Sequence, residues 1–591
     1  MQPARARYLM AIAAMVVGTC FLYLVPLVPQ AVIDGVLDPQ ASKLDDPWVG
    51  LPIRWMGGRL FVADNLWVPA VTVAALSALA GVAVFFRQRW AAEASETIIR
   101  NFRNQIFDHL QRLPCRYFDS AHTGDIIQRC TSDVETVRLF LATHVVEIAR
   151  SVVMFVVPLP LMLLIDVRMT VVAALLLPAI VVFSTWFFLR VRKRFEEVDE
   201  AEGELTTSIQ ENLSGIRVVR AFGRHDHEVV RFGERNRTYR RLDNDLFHQL
   251  AIFWSISDLL TFLQQALVVG AGIYWVTEGS LSVGAFFYFL TAVVMFIYPL
   301  RQMGRILADL GKATVALDRV GTILAEPKEA TAEDAVALPE VAGDVVFDDV
   351  TFSYGEGAAA ALTNFSLRIP ARSTVAIVGP SGSGKTTLVS LLLRLYDPQE
   401  GAISIGGRDL RTLDRHSLRR HLSVALQEPF LFSKTVDQNL RLGRAEATFD
   451  EVEAAVRVAD VHATIHGFDQ GYETMVGERG VTLSGGQRQR VALARALLQK
   501  PQVLIMDDAL SAVDTATETE ILGGLRERRG QQTTIIIAHR MSTLALADHI
   551  VVLDDGQIRQ QGSHRELMGQ PGPYADLWRL QSEQSATLEA S

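Results

Sequence analysis

Residues 373–393 read STVAIVGPSGSGKTTLVSLLL, and they determine the architecture of the C-terminal half of the chain. The apolar residues before Gly379 predict a buried strand, and those after Thr386 predict a helix. Between them, glycines let the backbone amides turn toward a phosphate, Lys385 can reach the terminal phosphates, and the Thr386 hydroxyl can hold Mg²⁺. Because the loop opens a helix, bound phosphates would lie at the positive end of the helix dipole. This strand–loop–helix pattern predicts a nucleoside triphosphate site in an α/β domain.

The N-terminal half is predicted to lie in a membrane. The 591-residue chain is 49% hydrophobic with a mean hydropathy of +0.20, which is high for a soluble protein. The excess lies in six runs, each close to the ~20 residues that a membrane-crossing helix needs. A single run could be a buried core helix, but six runs separated by charged segments favour a multi-pass protein. The runs lie near residues 8–30, 66–86, 147–165, 169–190, 251–275 and 283–303.

Basic residues predict the orientation, because they accumulate in cytoplasmic loops. Segment 87–146 contains eight arginines and segment 190–250 is denser still, whereas the turns at 166–168 and 276–282 contain only Arg168. We therefore expect a protein of the cytoplasmic (inner) membrane, with both termini and the nucleotide domain in the cytoplasm. Both basic segments have helical apolar spacing, so they are predicted to extend the spans as helices. Their turns are either ordinary hairpins or short helices that press on a nucleotide domain.

Composition changes mark the domain boundaries. A transmembrane domain with long cytoplasmic extensions is predicted over residues 1–324. A polar, acidic linker follows at 325–343. Residues 345–354, VVFDDVTFSY, alternate like a strand and open a nucleotide-binding domain that we place at 344–580. Residues 581–591 are predicted to be a flexible tail.

A second motif, LSGGQ at residues 483–487, follows the phosphate loop. With six predicted spans and two long cytoplasmic segments, the chain resembles half-transporters of the ATP-binding cassette (ABC) exporter family over nearly its whole length. The resemblance implies a six-helix transmembrane domain followed by an α/β P-loop domain that binds ATP and Mg²⁺. It also implies hydrolysis of ATP coupled to transport, in a dimer where the signature motif of one subunit completes the site on the other.

The resemblance assigns roles to individual residues of this sequence. Tyr354 would stack on the adenine ring. The phosphate-binding residues would be Gly379, Ser381, Gly382, Ser383, Gly384, Lys385, Thr386 and Thr387, and the signature residues would be Ser484, Gly485, Gly486 and Gln487. Metal-binding roles would fall to Thr386, Gln427 and Asp507, and catalytic roles to Gln427, Asp508 and His539.

One position departs from the family pattern. The residue after Asp507 is usually a glutamate that polarises the attacking water, but here it is Asp508. Because aspartate is one methylene shorter, its carboxylate would lie more than ~1 Å short of the position that the glutamate base occupies. Such a displacement can cost ~100-fold in the rate of hydrolysis. The pattern resembles one half of heterodimeric bacterial multidrug exporters, in which one ATP site is degenerate. We therefore expect a partner subunit that carries the catalytic glutamate; the alternative is a homodimeric exporter or lipid flippase in which Asp508 is the base.

The cargo is predicted only as a class. Aromatic and amide residues in the last two spans could line a cavity that suits an amphiphilic small molecule, but each could equally face lipid or pack between helices. These residues are Phe253, Trp254, Phe262, Gln264, Gln265, Tyr288, Phe289, Phe296 and Tyr298. Asp258 lies within the fifth span, where an ionisable group is costly. It either binds a cationic substrate or pairs with a basic or hydroxyl neighbour.

Two other functional classes share some of these motifs. A membrane protein with a regulatory, non-transporting cassette would share every motif and would differ only in transport assays. A soluble DNA-repair-type ATPase also uses a signature motif, but it needs long coiled coils and has no membrane spans. We therefore expect the lipid bilayer and an amphiphilic molecule as partners, and no nucleic acid.

Overall fold

The computed structural model describes residues 2–37, 46–329, 335–338, 343–355, 357–477, 480–538 and 540–579. The predicted catalytic His539, the predicted tail at 581–591 and residues 330–334 and 339–342 of the predicted linker lie outside the described residues. The chain divides into two compact units, which are described separately. The first, or membrane unit, is Met1–Gln111 with His122–Glu326, and the second, or nucleotide unit, is Arg112–Ala121 with Pro327–Ser591.

The described part of the membrane unit is helical. Its helices are α1 (Gln2–Leu24), α2 (Leu27–Val32), α3 (Pro47–Trp55), α4 (Arg59–Asp64) and α5 (Trp67–Leu110). The short helix α6 (Cys115–Ser120) falls in the nucleotide unit, and α7 (Thr123–Gln128), α8 (Val134–Leu139), α9 (Val145–Val156), α10 (Pro158–Ile165) and α11 (Val167–Ala174) follow. The unit closes with α12 (Leu177–Ser214), α13 (Ile216–Ala221), α14 (His225–Thr277) and α15 (Val283–Ala325).

Five helical stretches in the described residues are long and apolar enough to cross a membrane. They are Ala4–Leu37, Trp67–Leu110, Thr123–Ile165, Val167–Ser214 and His225–Thr277, and a shorter apolar helix covers Val283–Pro299. Each of the six contains one of the predicted runs or most of it. Four of these stretches also continue far beyond a predicted span, into the basic segments 87–146 and 190–250, as the helical apolar spacing predicted.

Aromatic residues of the last two spans pack between helices. Phe253, Tyr288 and Phe289 are fully buried and Phe296 is nearly so, which makes them core residues, whereas Phe262 and Tyr298 are exposed. Phe253 stacks on Phe187 of α12, with ring centroids 4.7 Å apart. The predicted lining therefore divides into helix-packing residues and surface residues.

Gln264 of α14 stabilises a break between two helices. Pro178 has no N–H to donate, and the chain between α11 and α12 leaves backbone groups without helical partners. The Gln264 amide nitrogen donates to the carbonyls of Val172 (2.8 Å) and Ala173 (3.1 Å), and its oxygen accepts from the Leu176 amide (3.0 Å). This buried amide is thus a structural residue, as such breaks in membrane helices require.

Asp258 pairs with a basic neighbour, which was one of its two predicted roles. Arg301 of α15 places Nη2 2.7 Å from the Asp258 carboxylate. The Arg301 guanidinium also lies over the Trp254 ring, with Cζ 5.3 Å from the centroid. Both contacts offset the cost of placing charges within a span.

The described nucleotide unit contains two sheets. A four-stranded antiparallel sheet has the order β2-β1-β4-β5, with β1 (Val345–Phe352), β2 (Leu362–Ile369), β4 (Glu400–Ile405) and β5 (Arg408–Asp409). A six-stranded sheet has the order β10-β9-β3-β8-β7-β6, with β3 (Thr374–Val378), β6 (Leu422–Ala425), β7 (Val503–Asp507), β8 (Thr533–Ile537), β9 (His549–Asp554) and β10 (Gln557–Gly562). All of its pairs are parallel except β9 with β10.

Helices cover the six-stranded sheet and complete the α/β fold. They are α16 (Lys385–Leu392), α17 (Arg415–His421), α18 (Val436–Leu440), α19 (Phe449–Val458), α20 (His462–His466), α21 (Gly485–Leu498), α22 (Thr515–Glu527), α23 (Met541–Leu544) and α24 (His564–Met568). Strands β3 and β7 are buried on both faces, so they read as continuous apolar runs. The phosphate loop and Asp507 both follow carboxyl ends of parallel strands, which is the edge where ligands bind in such sheets.

Candidate functional site

The phosphate loop joins β3 to α16 in the predicted strand–loop–helix arrangement. Gly384 is the N-cap of α16 with a φ of 101°, in the left-handed region that only glycine adopts without strain. A Cβ at Gly384 would lie 2.7 Å from the Ala361 carbonyl oxygen, and one at Gly379 would lie 2.0 Å from the Leu553 carbonyl oxygen. Both glycines are therefore required by the backbone path, and the loop forms a cradle at a helix N-terminus, where anions bind.

Lys385 lies inside this loop. Its ammonium group donates to the carbonyls of Gly379 (2.8 Å) and Pro380 (2.6 Å) and lies 3.3 Å from the Ser383 hydroxyl. Burial lowers the pKa of Lys385, while the carboxylates of Asp507 and Asp508 oppose that shift. The side chain is held where phosphates in the loop would meet its charge.

Thr386 and Asp507 meet at the start of α16. The Thr386 hydroxyl donates to the Asp507 carboxylate at 3.3 Å, although the two residues lie on separate elements. A hydroxyl and a carboxylate supply the hard oxygen ligands that Mg²⁺ prefers. This pair fits the predicted metal site.

Asp508 has an unusual backbone conformation. Its φ is 48°, in the left-handed region that aspartate and asparagine tolerate better than other non-glycine residues. Its amide donates to the carbonyl of Ile537 at 2.8 Å, so the residue is held against the end of the neighbouring strand β8. The backbone that carries the Asp508 carboxylate is therefore constrained.

Tyr354 belongs to an aromatic cluster that sequence reasoning did not identify. Its ring makes edge contacts with Phe352 (centroids 5.0 Å apart) and Tyr396 (5.3 Å), and its hydroxyl lies 3.2 Å from that of Thr387. Tyr354 remains 45% exposed, so part of its ring is accessible to a base. Beside it lies a cavity of about 610 Å³, whose lining includes Tyr354, Tyr396, Pro114, Arg116 and Glu329.

Tyr396 connects this cluster to the short helix α6. Its hydroxyl donates to the Asp119 carboxylate at 2.6 Å. Burial raises the pKa of Tyr396, and the hydrogen bond to Asp119 raises it further. Since α6 packs within the nucleotide unit, the turn at 113–125 is more than an ordinary hairpin: part of it contacts the residues beside the phosphate loop.

The signature residues open α21. Ser484 is its N-cap: the Ser484 hydroxyl accepts from the Gln487 amide, and the Gln487 side chain accepts from the Ser484 amide (2.9 Å), which makes a capping box. A Cβ at Gly486 would lie 2.8 Å from the Ala512 carbonyl oxygen, so glycine permits close approach of the loop at 511–514. The motif thus presents a capped helix N-terminus.

Gln489 was not predicted, yet it joins the signature helix to Gln427 and to the loop at 511–514. Its amide nitrogen donates to the Gln427 carbonyl (3.1 Å) and the Ser511 hydroxyl (2.9 Å), and its oxygen accepts from the Ala512 amide (2.8 Å). The side chain is buried. It fixes the backbone of Gln427, whose own side chain is exposed, to the signature helix.

Glu518 and Arg540 form a second network that the sequence did not predict. The buried Glu518 carboxylate accepts from Ser542 (2.6 Å) and Thr543 (2.8 Å) and pairs with Arg540. Arg540 also donates to the carbonyls of Ser511 and Val513, each at 2.9 Å. The chain just after position 539 is thereby tied to the loop at 511–514.

Comparisons with known proteins agree with this geometry. Residues 8–300 match the family model described as ABC transporter transmembrane region, and residues 362–511 match the model described as ABC transporter. YgaD of Bacillus subtilis (strain 168), a putative multidrug export ATP-binding/permease protein, is 34% identical over 501 residues, 84% of this chain and 86% of the relative. YknU of the same organism, an uncharacterized ABC transporter ATP-binding protein, is 33% identical over 584 residues, 98% of this chain and 96% of the relative.

Among solved structures, a bacterial Atm1-family ABC exporter with ATP bound matches with a TM-score of 0.81. The two are 29% identical, and the match covers 98% of each chain. The predicted fold class is confirmed: a helical membrane domain precedes an α/β nucleotide-binding domain. Members of the family work as dimers in the membrane and couple ATP hydrolysis to transport. The chain belongs to the ABC transporter family, as an exporter subunit with its membrane and nucleotide-binding domains on one polypeptide.

Proposed function

We propose that this subunit is one half of a heterodimer that exports an amphiphilic small molecule, drug or lipid across the cytoplasmic membrane. In this proposal its own phosphate loop belongs to a degenerate ATP site, and the partner subunit carries the catalytic glutamate. The observation that carries the proposal is Asp508, which follows Asp507 where the family pattern has glutamate. The multidrug export names of several relatives support the substrate class.

The predicted boundaries and orientation form part of the proposal. Residues 1–324 would be the membrane domain, 325–343 the linker and 344–580 the nucleotide-binding domain, with both termini in the cytoplasm. The dense arginines of segments 87–146 and 190–250 support this orientation.

The phosphate loop would hold ATP by backbone amides and charge. Residues Gly379–Thr387 would surround the phosphates, Lys385 would exchange its carbonyl contacts for phosphate oxygens, and Tyr354 would cover the adenine. Thr386, Asp507 and Gln427 would hold Mg²⁺, which neutralises charge on the terminal phosphates when bound. His539 would contact the γ-phosphate. Because the hydrogen-bond donors of the phosphate loop are already positioned, the protein would need little reorganisation when negative charge develops on the phosphates in the transition state.

Asp508 is a poor candidate for an efficient general base. Its backbone is anchored by the amide contact to Ile537 and held at a positive φ, so the shorter side chain has little freedom to advance. A carboxylate displaced by ~1 Å loses about 100-fold in rate. This supports a degenerate site on the chain's own loop.

The signature motif supports a working site elsewhere. Ser484–Gln487 is intact in sequence and forms a capped helix N-terminus, which suits a γ-phosphate supplied by another subunit. In the proposed dimer, Ser484 and Gly486 would complete the partner's competent ATP site. Closure on two nucleotides would switch the membrane domains to the outward-facing state, and hydrolysis at the competent site would release them.

Steady-state ATP turnover of three variants tests this asymmetry in one preparation of the full-length complex with its partner. Asp508→Ala should cost little turnover, because it alters the degenerate site. Ser484→Arg should abolish most turnover, because it blocks the partner's site. Asp508→Glu should leave turnover unchanged or raise it. Equal losses in Asp508→Ala and Ser484→Arg would refute the asymmetry and favour a homodimer in which Asp508 is the base.

A further inference from the structure

A second cavity lies between α1, α5 and α9 of the membrane unit, with a volume of about 370 Å³. No residue assigned a role above lines it. Its walls are mainly apolar and come from all three helices: Met15, Gly18, Leu22, Gly81, Val84 and Met154. The polar lining consists of two hydroxyl residues, Thr19 and Ser77, and two arginines, Arg87 and Arg150. None of the described residues that line it is acidic.

Arg87 is the unusual member of this lining. The residue is only 8% exposed, and its Nε has no hydrogen-bond partner among the described residues. A buried, incompletely paired guanidinium is costly, and an ionisable residue that lines a cavity of a membrane domain points to a ligand. The helix that carries it offers a contrast, since the exposed Arg89 is paired with Glu93 at 3.0 Å.

The charge around the cavity is positive. Arg150 of α9 pairs with Glu147 on its own helix, with Nη1 3.2 Å from the carboxylate. Two arginines and no acidic residue are among the described residues that line the cavity, so its polar end carries a net positive charge.

We propose that this cavity binds an acidic amphiphile, with its phosphate or carboxylate group on Arg87 and Arg150 and its apolar chain against α1 and α5. Both arginines lie at the predicted cytoplasmic ends of their spans, so the headgroup would be at the level of the inner leaflet. A volume near the lower end of the 300–1,000 Å³ range of ligand pockets suits one chain better than several. The role of this ligand as cargo rests on the proposed export function, whereas its binding does not.

Equilibrium binding of dodecyl phosphate to the full-length protein in phosphatidylcholine nanodiscs, without ATP, tests the proposal. Arg87→Ala should weaken binding by about 10- to 100-fold, since hydrogen bonds to charged groups contribute ~1.5–3 kcal/mol. Binding of the uncharged dodecanol should change by less than about threefold, because it lacks the headgroup charge. Arg87→Lys, which keeps the charge, should retain most of the affinity and guards against loss through misfolding.

Three further variants sharpen the test. Glu147→Gln should tighten binding, because it removes the carboxylate that pairs with Arg150 and would compete with the anionic headgroup for it. Gly81→Leu should weaken binding of both ligands, since a Cβ at Gly81 meets no atom within 4 Å and a larger side chain would fill the cavity. Arg89→Ala, the matched control on the same helix, should change neither.

Two sources of the anion are distinguished by adding phosphatidylglycerol to the nanodiscs. Competition with dodecyl phosphate would assign the site to anionic membrane lipid, and its absence would assign it to single-chain amphiphiles. Equal affinity of wild type and Arg87→Ala for dodecyl phosphate, or an equal loss in Arg89→Ala, would overturn the proposal. If dodecyl phosphate binds as expected but the complex transports no amphiphile, the proposed export function would be refuted and the proposed binding site would still be supported.

Discussion

Glu518→Gln should loosen the chain that follows β8 while the nucleotide unit stays folded. The buried carboxylate accepts from Ser542 and Thr543 and pairs with Arg540. Glutamine keeps one acceptor oxygen, but it removes the negative charge and introduces an amide group that cannot accept from these donors. We therefore expect a loss of local stability in the residues just after position 539.

The magnitude follows from the exposure of the two partners. Hydrogen bonds to charged groups contribute about 1.5–3 kcal/mol. The Glu518 side chain is 2% exposed, but that of Arg540 is 40% exposed and can exchange its partner for water. We therefore take about 2 kcal/mol, near the lower end, which corresponds to about a 30-fold more frequent local opening.

Hydrogen exchange of the full-length protein measures this opening directly. In peptides that cover residues 541–547, amide exchange should accelerate by about 30-fold in Glu518→Gln, as local opening governs exchange. Glu520→Gln is the matched control, because Glu520 is exposed on the same helix. Indistinguishable exchange in the two variants would refute the idea that this carboxylate holds the segment.

Three other substitutions have defined outcomes. Gly384→Ala should reduce ATP affinity by at least tenfold in a nucleotide-binding titration, because its Cβ would meet the Ala361 carbonyl and its φ of 101° is strained for alanine; wild-type affinity would contradict this. Gln489→Leu should lower ATP turnover at least tenfold with nearly unchanged ATP affinity, because it removes the three hydrogen bonds that tie the signature helix to the loop at 511–514 and to the Gln427 carbonyl, and the signature helix would serve the partner's working site. A loss confined to affinity would show that Gln489 acts elsewhere. Gln264→Leu should lower the midpoint of thermal unfolding of the membrane unit without affecting ATP affinity, because the carbonyls of Val172 and Ala173 lose their hydrogen-bond donor. An unchanged midpoint would argue against this structural role of Gln264.

The parts of the site that sequence predicted are local. Gly384, Lys385 and Thr386 follow one another in a loop whose spacing is dictated by phosphate geometry, and the structure places them as the pattern requires. Asp507 ends an apolar strand, so its position at the carboxyl edge of the sheet also follows from the pattern. Local patterning likewise located the membrane helices, because a span must be long and apolar.

The residues that sequence missed act between distant segments. Tyr396 and Asp119 are 277 positions apart, and no local pattern relates an aspartate in a turn to a tyrosine that follows a helix. Gln489 lies only two residues beyond the signature motif, but its role depends on which backbone atoms fold against it. The sequence left the roles of the aromatic residues in the last two spans open for a related reason, since Phe253 and Tyr288 are as apolar in a helix interface, where they lie, as they would be in a cavity. The sequence showed which kinds of side chain were present, but the direction in which each side chain points became known only from the structure.

ATP-dependent accumulation of a fluorescent amphiphile in inside-out vesicles tests the central claim most directly. Vesicles that contain the full-length subunit with its partner should accumulate the amphiphile when ATP and Mg²⁺ are supplied outside, where the nucleotide domains would face. Lys385→Ala should greatly reduce this accumulation, because it removes the charge that faces the terminal phosphates. Robust ATP hydrolysis without accumulation would contradict export of an amphiphile, and undiminished accumulation in Lys385→Ala would contradict the assignment of this phosphate loop.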